Sequence, residues 1–104
     1  MSCKNFYRVT SVAVGTTAVT IGFNSTVTLE NTQRFCFKVC TKIPAGGENL
    51  PVVMTANGQT VALWNKYGNP MIGAELRNCK CYCGYYGSTT PHVIATNEPR
   101  CIGC

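Results

Sequence analysis

Phe35-Cys36-Phe37-Lys38-Val39-Cys40 is the stretch on which the fold turns. Successive side chains of a strand point to opposite faces, so Phe35, Phe37 and Val39 share one face and Cys36, Lys38 and Cys40 the other. The aromatic face belongs to a core. The cysteine face points outward or lies beneath a covering segment. Cys79-Lys80-Cys81-Tyr82-Cys83 repeats the pattern, with its three cysteines opposite Lys80 and Tyr82. Strand neighbours two and four residues apart stand about 6.6 and 13 Å apart, whereas a disulfide wants Cα atoms about 5.5 Å apart. Neither set closes on itself without a bend. Partners must come from another strand, the tail or another subunit. The outer spacings match: if the two strands are antiparallel neighbours, Cys36 faces Cys83, Cys40 faces Cys79, and Cys81 opposes Lys38.

Outward from these strands, period-two alternation recurs and helical periodicity is nearly absent. Strands are expected near 6–14, over 18–23 and, after Asn24-Ser25, through Val27 and Leu29. Another is expected near 34–42. Pro44-Ala45-Gly46-Gly47-Glu48-Asn49 reads as a loop. Val52 and Met54 lead to Asn57-Gly58, the strongest two-residue hairpin signal of the chain, and on to Val61 and Leu63. A turn at 66–70 precedes 71–76, and strands near 79–86 and 92–96 complete the pattern. The expectation is all-β: one compact β-sandwich or small barrel of short antiparallel strands over 1–104, with cysteine-bearing termini. Pro99 cannot donate to a ladder, so 97–104 reads as a cysteine-containing tail.

Composition narrows the function. Eight cysteines in 104 residues is a density of disulfide-stapled secreted domains. The N-terminal Met1-Ser2-Cys3-Lys4-Asn5-Phe6-Tyr7-Arg8 has no apolar run of leader length, which predicts oxidation without a classical signal peptide. A virus particle released by lysis supplies that route, and so does a spore or surface layer freed when its mother cell breaks. Nine Lys or Arg, never adjacent, face four Glu and no Asp. That scatter argues against nucleic acid, which selects a basic stripe. It suits subunits packing against copies of themselves. No stretch reaches the roughly 20 apolar residues of a membrane span.

The disulfide candidates are Cys3, Cys36, Cys40, Cys79, Cys81, Cys83, Cys101 and Cys104. Cysteines near both ends are placed to bond adjacent subunits. Zinc, the alternative cofactor, would be held by Cys81, Cys101 and Cys104, and reduced buried thiols acting as small hydrophobes are a further reading. An enzyme is not expected. His92, the lone histidine, has no Asp to orient it, and reads instead as a strand-start side chain after Pro91. Trp64, Tyr67, Tyr82, Tyr85 and Tyr86 contain the parts of a sugar-stacking platform, but the preferred reading puts Trp64 and two tyrosines in the core or a seam.

From Asn57 onward the order Asn57-Gly58, Val61 and Leu63, Gly68-Asn69-Pro70, Gly73-Ala74-Glu75-Leu76, Tyr85-Tyr86-Gly87-Ser88-Thr89-Thr90 and His92-Val93-Ile94-Ala95 resembles small β-modules of tailed-phage fibre and capsid-surface (decoration) proteins. The resemblance spans about residues 57–95. Cys79, Cys81 and Cys83 depart from it, since such modules usually lack cysteine in the aromatic strand. It implies a non-catalytic, oligomeric building block and carries over no functional residue. The expected function is therefore a structural subunit of a larger assembly, a phage virion component of capsid decoration or tail/fibre type. A disulfide-crosslinked bacterial spore-coat or surface-filament subunit is one alternative, and a cytosolic zinc-binding interaction module another. The expected partners are copies of itself and other assembly subunits, with no nucleic acid, membrane or small-molecule substrate.

Overall fold

A computed structural model describes residues 6–97. Cys3, Cys101 and Cys104, and the expected tail beyond Asn97, lie outside the described residues. Eight strands follow in order: β1 (Phe6–Val14), β2 (Val19–Phe23), β3 (Arg34–Val39), β4 (Val52–Ala56), β5 (Gln59–Trp64), β6 (Cys81–Gly87), β7 (His92–Ile94) and β8 (Thr96–Asn97). A 3₁₀ turn, Gly73–Glu75, is the only helical element among the described residues. The all-β expectation holds, and each strand lies within a few residues of its alternating segment. Pairing continues through Asn97, which bonds beside Tyr82 rather than opening a tail.

The sheet runs β3-β1-β2-β4-β5-β7-β6-β8, and an added β3–β6 pairing closes the first seven strands into a ring. Closure removes the row of unpaired backbone groups that an open sheet edge would expose. The strands are not uniformly antiparallel, which corrects the sequence expectation. β1 runs parallel to β3, β2 to β4, and β5 to β7. Parallel neighbours need a crossover of a dozen or more residues. Here each crossover contains another strand or the long 65–91 excursion, so each hairpin is followed by a return across the barrel.

Inward faces match the alternation. Val9, Val19, Phe35, Phe37, Val39, Val52, Met54, Val61, Leu63 and Val93 are fully buried, and no described polar or charged side chain is buried with them. Phe23 meets Phe35 and Phe37 edge-on at 5.6 and 5.8 Å, and Phe37 stacks on Tyr82 at 5.2 Å. These geometries suit the ring quadrupoles.

One expected strand does not form. Val27 and Leu29 are buried as their alternation predicts, but they lie in an irregular segment. Asn57 takes the place of a ladder there. Its amide donates to the Val27 carbonyl at 3.0 Å. Its side chain accepts from the Leu29 amide at 2.8 Å and donates to the Leu29 carbonyl at 2.9 Å. The same residue makes the expected Asn57-Gly58 turn, with φ of 55° and 72°, the two positive values of a type I′ hairpin.

Candidate functional site

The cysteines converge where β3 meets β6. The pair is antiparallel, with Cys36 opposite Cys83 and Lys38 opposite Cys81, the register expected from the spacing. Cys36 and Cys83 are joined in a disulfide, their Cα atoms 4.1 Å apart across 47 residues of sequence. Their position explains the closeness. Val39 donates to the Lys80 carbonyl at 2.9 Å, so 39/80 is a hydrogen-bonded pair and 36/83, three places along, is not. Side chains of non-hydrogen-bonded pairs stand closer together. Cys36 is buried on the outer wall, where Arg34 Nε donates to its sulfur at 3.5 Å.

Both ends of this strand pair are built alike. At one end Gln33 donates to the Glu30 carbonyl at 3.0 Å, Thr32 to the Tyr86 carbonyl at 2.8 Å, and Tyr86 to the Gln33 carbonyl at 2.9 Å. At the other, Lys80 donates to Arg77 at 3.4 Å, Cys79 to Val39 at 2.8 Å, and Val39 to Lys80 at 2.9 Å. Thr32 and Cys79 occupy equivalent left-handed positions, with φ of 66° and 65°. Each device is a tight turn running into a bulge, where two residues oppose one. Cys36 lies three residues from Gln33 and from Val39; Cys83 lies three from Lys80 and from Tyr86. The disulfide therefore sits on a local two-fold at the middle of the seam that closes the barrel.

The sequence carries the signal for this clasp. Leu29-Glu30-Asn31-Thr32-Gln33-Arg34-Phe35-Cys36 and Leu76-Arg77-Asn78-Cys79-Lys80-Cys81-Tyr82-Cys83 share Leu-x-Asn-x-x-x-aromatic-Cys. Reading for long repeats misses an eight-residue match. Leu29 and Leu76 are both buried, as are Phe35 and Tyr82.

The second expected pair, Cys40 with Cys79, is not joined: both residues are thiols, half-buried. The bulge is the reason. Cys79 and Lys80 both oppose Val39, so the extra residue carries Cys79 out of the register position facing Cys40. The Cys79 thiol donates instead to Asn78 Oδ1 at 3.6 Å. Cys81 is buried and disulfide-bonded rather than present as a thiolate. The other two residues of the zinc alternative, Cys101 and Cys104, lie outside the described residues, as does the disulfide candidate Cys3.

Tyr82 braces the site from within. Its hydroxyl accepts from the Arg77 amide at 2.9 Å and donates to the Glu75 carbonyl at 2.9 Å. Burial pushes its phenol above the usual value of 10.0, partly offset by the Arg77 bond and charge. The remaining aromatic candidates are dispersed. Tyr86 is buried and its hydroxyl accepts from Asn57 Nδ2 at 3.4 Å. Trp64 is covered by the His92 ring, stacked with centroids 4.0 Å apart. Tyr67 and Tyr85 are exposed on separate elements, at 76% and 58%. His92 opens β7, as Pro91 suggested, and its Nδ1 lies against the Thr90 carbonyl. Comparison of the chain with protein-family models, with curated proteins and with solved structures finds no match.

Proposed function

We propose that this protein is a non-catalytic structural subunit of a larger assembly, a phage virion component of capsid decoration or tail/fibre type. The observation that carries the reading is the Cys36–Cys83 disulfide at the centre of the closing seam. A covalent link there hardens the barrel as a unit, and such hardening is what a subunit facing the world outside a cell requires. The resemblance of residues 57–95 to phage surface modules points the same way. So does the sparse charge, since few groups must be desolvated when copies pack together. Among the described residues the ring leaves no long strand edge for neighbours to extend, so contacts between copies are made by side chains, half-buried thiols such as Cys79 included.

Mass spectrometry of the intact, unreduced material tests this together with its oligomeric state. A particle retaining the Cys36–Cys83 link, with further disulfides between chains, is the expected result. The same crosslinks in a spore coat or surface filament would move the assembly to that setting. A reduced monomer holding stoichiometric zinc would replace the reading with a zinc-binding interaction module.

A further inference from the structure

On the outer wall of β6, cover increases toward one end of the strand. Tyr82 faces inward against Phe37, so Cys81, Cys83 and Tyr85 alternate with it outward. Along that row Tyr85 is 58% exposed, Cys83 is half-buried and Cys81 is 1% exposed. A side chain that points away from the core is buried only where something lies over it. Cys81 is also disulfide-bonded. Its partner is none of the described cysteines: Cys36 and Cys83 hold each other, and Cys40 and Cys79 are thiols. Three cysteines of the sequence remain, Cys3, Cys101 and Cys104, all outside the described residues.

Register separates the three. β1 runs parallel to β3 with Phe6 beside Cys36, whereas Cys81 stands opposite Lys38. The line of β1 before Phe6 therefore leads toward Arg34, away from Cys81. Phe6 and Cys81 are two strand spacings and two residues apart, about 12 Å, so Cys3 would have to double back across β3. The other terminus starts from the right place: Asn97 pairs with Tyr82, one register step from Cys81. Pro99 cannot extend the ladder, which lets the chain turn off the strand. Cys101 is four residues beyond Asn97, a reach of at most about 14 Å. The geometry points to a second disulfide within the chain, from Cys81 to the Cys101-Ile102-Gly103-Cys104 terminus, latching residues 98–104 over the outer wall beside the Cys36–Cys83 staple. A small-molecule disulfide suffices as oxidant. The Cys81 thiolate attacks one of its sulfurs and displaces the other as a thiolate; the terminal thiolate then attacks Cys81 Sγ and displaces the second. Two protein thiols lose two protons and two electrons, and the small disulfide leaves as two thiols. The latch lies within one chain and stands whether or not the assembly reading does.

Peptide mapping of the full, unreduced chain tests it. Trypsin cuts after Lys4, Arg34, Lys38, Lys80 and Arg100, which puts Cys3, Cys36, the Cys81/Cys83 pair and the terminal pair on four separate fragments. Thiols are first capped with N-ethylmaleimide in denaturant at mildly acidic pH, where exchange is slow. The expected result is one species holding fragments 35–38, 81–100 and 101–104 together, falling into three on reduction. Fragment 81–100 joined to 1–4 would overturn the inference in favour of the N-terminus. Fragment 81–100 joined to 35–38 alone, with a maleimide on Cys81, would overturn it outright. In the Cys101→Ser, Cys104→Ser double variant, Cys81 should take up maleimide; a Cys81 that stays linked there would refute the latch. Light and heavy isotope-labelled chains, oxidised together from the reduced state, should give 81–100 and 101–104 of one label only. Mixed-label species would place the bond between copies and replace the latch. None of these readouts needs a particle, so failure here is distinct from failure of the assembly test.

Discussion

Cys79 shows how one backbone angle decides the chemistry of a side chain. Its φ of 65° is a value that glycine adopts without penalty and that costs an L-residue about 1–2 kcal/mol. Cys79→Gly should therefore stabilise the protein by about 0.5–1 kcal/mol, measured as an increased urea midpoint with unchanged slope. The entropy glycine loses on folding offsets part of the relief. This is also where the sequence misled. Equal spacing of 36/40 and 79/83 gives the Cys36–Cys83 link, but spacing alone carries no record of a bulge, so the second link is wrongly expected. Tyr82 supplies a pH dependence. Its folded phenol is raised above the unfolded 10.0, so the folded state holds its proton more tightly. That stabilisation is complete below pH 10 and is lost as pH rises through the folded value. The melting temperature should fall above pH 10, and Tyr82→Phe should flatten that fall while costing about 1 kcal/mol at pH 7 for its hydroxyl bonds.

At the scale of elements, alternation located the strands because a half-buried strand must repeat every two residues, whatever it pairs with. The neighbours were less accessible. Parallel pairs β1–β3, β2–β4 and β5–β7 depend on how the chain returns across the barrel, and residue order within a strand does not encode that path. Val27 and Leu29 show a related gap: two buried alternating residues look like a strand, although here a single asparagine completes their backbone bonding. Asn57 thus joins the β4–β5 hairpin to the segment that leads into the clasp. Asn57→Gly preserves the positive φ but removes both side-chain bonds to Leu29. We expect a loss of about 1–2 kcal/mol by chemical denaturation, and faster amide exchange at Leu29 than elsewhere. An effect confined to the hairpin, with Leu29 unchanged, would show that the turn alone matters.

For the whole molecule, the closed ring and its stapled seam act together. The ring joins the first strand to the third and the third to the sixth, so the seam opens only when the barrel does. Closing a 47-residue loop is worth about 4 kcal/mol in the chain-entropy model. Cys36→Ala combined with Cys83→Ala should accordingly cost about 2–4 kcal/mol while leaving the circular-dichroism spectrum of the folded state unchanged. A larger consequence appears under mechanical load. A tether pulling on the two termini cannot lengthen the polypeptide between Cys36 and Cys83 while the link is intact. Roughly 160 Å of contour, 47 residues at about 3.4 Å each, stays in reserve. In optical-tweezer traces, adding reductant to the stretched molecule should release that length in a step that the Cys36→Ala and Cys83→Ala double variant lacks, so this covalent bond works as a strain limiter spliced into the thread.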